Sequence, residues 1–194
     1  DDGEELWAFV PELALPEFAA MADSFYCHRY TVDQTMSVRD MKLHGVWRTV
    51  LVGGAREGGA GLFALDVTDP LAPEVLWQAE TPDGKPFPSQ VTLIEAGDVP
   101  LAVVGSGFDV VDGDAWLHAL DLTSGNVLGS ILLSHSNNAR NKATRPAALD
   151  LDIDGATDIL YVGDMLGSIW RLDVNDSPYP HHWSVSEIFN GPAP

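Results

Sequence analysis

The chain has 194 residues, 45% of them hydrophobic and 20% charged, the composition of a globular domain with a real core to bury. Twenty-nine acidic against ten basic residues leave a formal charge of -19, which opposes a phosphate-backbone or anionic-lipid footprint and argues against nucleic acid as a partner. No apolar run approaches the ~18 residues of a membrane span, and the acidic opening "DDGEELWAFV" is unlike a positively charged signal start, so the chain reads as a processed or excised piece.

In chain order, "GEELWAFVP" (about 4–11) reads as a lone strand. "PELALPEFAAMADSF" follows with apolar residues at helical spacing and two early prolines, which predicts a short helix within about 12–24. Cys27 is the one cysteine, so no disulfide and no cysteine-based zinc cluster forms within the chain; it is expected as a small buried hydrophobe, a partner cysteine elsewhere in a longer parent being the alternative.

From residue 36 the chain repeats itself. "RTVLVGG" (48–54), "LAVVGSG" (101–107) and "ILYVGDM" (159–165) are β-branched runs that align on Gly53, Gly105 and Gly163. After each comes a related run, "GLFALDVTDP", "WLHALDLTSG" and "SIWRLDVNDS", in which Asp66, Asp121 and Asp173 line up at spacings of 55 and 52. One strand precedes and one follows each pair, "MSVRDMKL" and "EVLWQAE" in the first unit. Four short antiparallel strands recurring every ~50 residues form the signature of β-propeller blades, since one such sheet cannot cover both of its faces alone. The reading is all-β: three four-stranded blades at about 36–80, 88–134 and 145–190, plus a partial one, as a fragment of a larger propeller. Asp66, Asp121 and Asp173 are then expected to end third strands and to accept turn amides.

One hairpin breaks the pattern. "DLDIDGATD" (150–158) lies between the first and second strands of the third unit, and the equivalent stretches "DMKLHGVW" and "IEAGDVPL" carry no such carboxylate cluster. The form D-x-D-x-D-G-x-x-D supplies oxygens at alternate positions and a glycine where the chain must turn to wrap a cation. Without a cation the carboxylates repel one another. Magnesium demands a tighter octahedron, so the expected metal is calcium, held by Asp150, Asp152 and Asp154, the Ala156 carbonyl and Asp158, with Leu151 and Ile153 free to turn toward protein. Tyr161 stands where an EF-hand would place its twelfth-position glutamate, and the flanks read as strand, so an EF-hand domain is rejected. A weaker group, Asp109, Asp112 and Asp114, reads as an ordinary aspartate-glycine turn.

"WRTVLVGGAREGGAGLFALDVTDP" (47–70), "RPAALDLDIDGATDILYVGDMLGSIWRLDV" (145–174) and the opening "GEELWAFVP" together resemble the C-terminal β-propeller of the PilC/PilY family of type IV pilus tip and biogenesis proteins. The resemblance implies an extracellular or outer-membrane-associated bacterial location. It also implies minor pilins or a host or abiotic surface as partners, a companion segment that completes the propeller, and calcium control of pilus extension, retraction and twitching motility. The family's calcium loop falls on Asp150, Asp152, Asp154, Ala156 and Asp158. The chain departs from the family where "NNARNKATRPAA" brings in Arg140, Lys142 and Arg145, and it has no Arg-Gly-Asp tripeptide.

Two other classes compete. "ALDLTSGNVLG" (119–129) approaches the A-x-D-x-x-T-G-x-x-x-W repeat of quinone-cofactor dehydrogenases, but Ser124 and Gly129 replace the threonine and the tryptophan. Docking of blade on blade through that tryptophan is therefore not expected, nor is catalysis: no catalytic or organic-cofactor residues are assigned. His181 and His182, read as adjacent strand residues, would point to opposite faces. The other alternative is a generic calcium-stabilised, protein-binding propeller.

Overall fold

The computed structural model describes residues 3–81, 84–85, 89–107, 113–137 and 140–191. Among the described residues, twelve strands form three antiparallel four-stranded sheets, each in simple sequential order. Blade 1 contains β1 (Ser37–Leu43), β2 (Val46–Gly54), β3 (Gly61–Asp66) and β4 (Glu74–Glu80). Blade 2 contains β5 (Thr92–Ala96), β6 (Val99–Gly105), β7 (Ala115–Asp121) and β8 (Val127–Ser134). Blade 3 contains β9 (Ala147–Leu149), β10 (Ile159–Gly163), β11 (Ser168–Asp173) and β12 (Ser184–Asn190).

Strand alternation places one face of each sheet against its neighbour. Met41, Val50, Val52, Leu62 and Ala64 of blade 1 meet Val91, Leu93, Ala102, Val104 and Leu120 of blade 2 in one buried cluster. Ile94, Leu101, Val103 and Leu117, from the other face of blade 2, meet Leu160, Val162, Leu172 and Trp183 of blade 3 in a second. The central β6 is consequently apolar on both faces, as its sequence "VPLAVVG" requires.

The first strands β1, β5 and β9 approach one another and are linked by side chains rather than by a ladder. Ser37 Oγ donates to Val91 O, Arg39 Nη1 to Leu93 O (2.8 Å) and Thr92 Oγ1 to Pro146 O (2.6 Å), each across 54 residues, one blade period. A second device sits further out. Trp77 of β4 is 7% exposed, and its Nε1 donates to Leu122 O of blade 2 at 2.7 Å. Gly125 lies under the indole at φ +74, and a Cβ there would stand 2.7 Å from Trp77 Cδ2. A tryptophan outside the 119–129 motif therefore docks blade 1 on blade 2. The motif with Gly129 lacks it because that boundary is filled from the opposite side, by Pro180 of a 3-10 turn (Pro180–His182) lying on Gly129.

Several expectations need correction. Residues 4–11 form no strand: the segment meets the face of blade 1, where side chains rather than ladder groups are offered. Trp7 Nε1 donates to Pro70 O, and Phe9 lies on Phe63 with ring centroids 5.0 Å apart. The helical stretch is short, a 3-10 turn at Glu12–Ala14 running into α1 (Leu15–Met21). Cys27 is exposed, because the chain beyond α1 runs over the surface. Asp66 and Asp121 accept turn amides as expected, from Thr68 N (2.9 Å) and from Thr123 N and Ser124 N (2.8 and 2.9 Å). Asp173 does not. Its carboxylate accepts instead from Arg171 Nε and Nη2 (3.1 and 2.6 Å), on the same face two residues back, while Asn175 and Asp176 reverse the chain with positive φ.

Replacing Trp77 by Phe keeps the ring and removes one buried hydrogen bond, for a loss of about 1 kcal/mol, whereas Trp77→Ala costs about 3–5 kcal/mol through the cavity. Urea unfolding followed by circular dichroism reads both. Equal losses for the two would show that packing against Gly125 contributes nothing.

Candidate metal centre

The corresponding hairpins differ in length for a local reason. In blade 1, His44 and Gly45 both take positive φ (49° and 82°), the two-residue turn that matches strand twist. Blade 3 instead places the nine residues 150–158 between β9 and β10. Asp158 N donates to Leu149 O (2.9 Å), which closes the loop's base. Val174 N donates to Asp158 O (2.8 Å) and Thr157 N donates to Glu95 O of blade 2 (2.7 Å), which tie the loop to β11 and to the neighbouring blade.

Within the loop, carboxylates organise the backbone. Asp150 accepts Ile153 N on Oδ1 (2.7 Å) and Gly155 N on Oδ2 (2.9 Å). Asp154 Oδ1 accepts Ala156 N (2.8 Å), Asp152 Oδ1 accepts Asp154 N (3.3 Å), and Asp158 Oδ2 accepts Leu151 N (2.6 Å). Gly155 has φ +101 with open space where a Cβ would lie, so its conformation alone requires glycine. Ile153 is forced to φ +64, uncommon for a β-branched residue.

These turns gather one carboxylate oxygen each from Asp150, Asp152 and Asp158 within 4.8 Å of one another. It is the one such cluster among the described residues. Asp154 stands outside the trio, and Ala156 is present through the amide bonded to Asp154. Leu151 and Ile153 do not turn toward protein: they are 63% and 88% exposed, because the left-handed turn at Ile153 swings the loop's apex away from the blade.

The electrostatics divide the cluster. For Asp150, burial works against the charge, but amides from Gly155, Ile153 and Asp154 outweigh it and hold the carboxyl below its ordinary 3.8. For Asp152, the Asp154 charge is the largest influence; with burial and the charges of Asp158 and Asp150 it pushes the carboxyl up. Three hard oxygens drawn together, one of them destabilised as an anion, suit a hard divalent cation. The donor set fits calcium.

Beside the trio, Arg171, Asp173, Asn175 and Asp176 line an open pocket of about 330 Å³ together with Asp152 and Asp158. The sequence carried a signal for this, since Arg171 pairs in register with Tyr161, three residues beyond the loop. Elsewhere, Asp114 accepts from Trp116 Nε1 (3.3 Å) and pairs with His135; Asp109 and Asp112 lie outside the described residues. His181 and His182 lie in the 3-10 turn rather than on a strand, with ring centroids 4.1 Å apart, and His182 Nδ1 meets Ser177 Oγ at 2.9 Å.

Comparison with known proteins places these features in context. The family model described as the PilY1 beta-propeller domain matches residues 12–194. The type IV pilus biogenesis factor PilY1 of Pseudomonas aeruginosa strain PAO1 is 32% identical over 199 residues, and a PilY1 homolog of Xylella fastidiosa is 32% identical over 206. The alignments cover 99% and 96% of this chain, but the chain spans only 17% and 14% of those curated relatives' lengths. The crystal structure of the P. aeruginosa PilY1 C-terminal domain superposes with a TM-score of 0.80 at 29% identity, covering 96% of this chain and 41% of that one.

Opposite pKa directions give opposite mutational signs in chelator at neutral pH. Asp150, lowered, contributes stability above its ordinary value that is lost as pH falls through the folded value; Asp152, raised, contributes only below its ordinary value and loses this as pH rises. Asp150→Asn is therefore expected to lower the thermal midpoint and Asp152→Asn to raise it or leave it unchanged. Both falling together would contradict the division.

Proposed function

The chain belongs to the PilY1 β-propeller domain family, and from that premise we propose that it is the calcium-binding propeller segment of a type IV pilus biogenesis factor. In this reading it has no catalytic role and acts at the bacterial surface on minor pilins or an attachment surface. A further segment of the parent completes the propeller. The observation that supports calcium is the convergence of Asp150, Asp152 and Asp158 within 4.8 Å in a hairpin whose counterparts need only a short turn.

Asp150, Asp152 and Asp158 would hold the ion, with Asp154 and the Ala156 carbonyl completing the shell. When bound, calcium supplies the positive charge that offsets the crowding of carboxylates. Asp158 has two tasks: its carboxylate belongs to the trio, while its peptide N–H and carbonyl bond Leu149 and Val174. Thr157, next to it, bonds blade 2. A loop ordered around the trio thereby stiffens the blade 2–blade 3 boundary, and that stiffening is how calcium would bias engagement with pilus subunits, and through it extension, retraction and twitching.

At ~100 times its Kd, calcium is expected to add about 2.7 kcal/mol to the unfolding free energy. Magnesium should add less. Asp152→Ala and Asp158→Ala should abolish the gain and Asp154→Ala should reduce it. A wild-type unfolding curve unchanged by millimolar calcium, or an equal shift in these variants, would overturn the site. In the parent protein, Asp158→Ala should uncouple surface motility from calcium; motility that keeps its calcium dependence would remove the regulatory half of the proposal.

A further inference from the structure

A different cluster lies where the first strands meet. Four arginines are paired with carboxylates: Arg29 with Glu17, Arg48 with Asp66, Arg56 with Asp33 and Arg171 with Asp173. Arg39 and Arg145 have no carboxylate partner among the described residues, in a chain with 29 acidic residues. Each spends one donor on a neutral acceptor: Arg39 Nη1 on Leu93 O (2.8 Å) and Arg145 Nη1 on Gln90 Oε1 (2.7 Å). A guanidinium has five donors, so several remain on each.

Both arginines line one open pocket of about 220 Å³, with Ser37, Gln90 and Thr92 also in its wall and no acidic residue in its lining among the described residues. The neutral polar groups are already committed across the blade boundaries. Ser37 Oγ donates to Val91 O, Thr92 Oγ1 to Pro146 O and Gln90 Nε2 to Met36 O, so Gln90 serves to hold Arg145 in place. What the pocket offers a solute is therefore the remaining guanidinium N–H groups of two like charges.

We infer that Arg39 and Arg145 form an oxyanion-binding site between the first strands, for a carboxylate or phosphate group. Charge-assisted hydrogen bonds from planar guanidinium groups match such oxygens and relieve the repulsion between the two cations. The chain's net charge of -19 opposes anions in general, so this local concentration of positive charge selects small groups able to reach both arginines. Arg145 is separated from the loop at 150–158 by β9 (Ala147–Leu149), its pocket shares no lining residue with that loop, and the site does not depend on calcium being bound there.

Calorimetric titration of the full chain at low chloride, with inorganic phosphate and with acetate as separate probes, tests this. Saturable binding of either is expected, the stronger probe naming the class, and Arg145→Gln should weaken it about tenfold, the loss of one charge-assisted contact. Arg39→Gln should weaken it similarly. Should that variant fail to fold, Arg39→Lys, which keeps a charge but loses the planar fork, should still bind more weakly than wild type. Arg145→Gln should leave the calcium response unaltered, separating the two sites. No saturable binding by either probe, or unchanged affinity in Arg145→Gln, would overturn the inference.

Discussion

A four-stranded antiparallel sheet has two faces, and its own ladder covers neither. Every other feature of this chain follows from how those faces are covered. Blade 2, in the middle, is apolar on both sides and is covered on both, which is why Val103 and Val104, adjacent in sequence, are each buried but belong to different clusters. The boundaries then need registration, because apolar packing is non-directional. Side-chain bonds one blade period apart supply it near the first strands, and Trp77 over Gly125 or Pro180 over Gly129 supplies it further out.

The loop at 150–158 is possible because of that rigidity. Its ends are fixed by β9 and β10, its flank by Glu95 of the next blade, and within those limits the backbone is wound by its own carboxylates. Asp150 serves mainly as an internal cap, accepting two amides. Asp152 and Asp158 bring negative charge to the same spot with fewer compensating bonds. The loop thus combines a carboxylate settled as an anion with one that is not, and a ligand that favours the second acts on an already formed frame.

Much of this was legible in the residues alone. The blade period is visible in Gly53, Gly105 and Gly163 and in the aspartates that end third strands, because each reflects a turn that the backbone must make locally. The carboxylate cluster of the 150–158 loop is visible for the same reason: alternation of aspartates and a placed Gly155 are local properties. What escaped was long-range. Trp77 gives no local sign that it will lie on Gly125, 48 residues on. Leu151 and Ile153 look like core residues in an alternating stretch, yet the left-handed turn at Ile153 exposes both. "GEELWAFVP" has a strand's composition, but with a sheet face rather than an edge beside it, it packs as a strap through Phe9 and Trp7.

The bond from Thr157 to Glu95 has a mechanical consequence. It crosses a blade boundary at the very stretch where the acidic loop rejoins β10. Shear that slides blade 3 past blade 2 stretches this bond and tugs on the Asp158 carboxylate one residue away, so under the calcium-binding proposal tension applied to the propeller and occupancy of the loop would be two ways of acting on one joint.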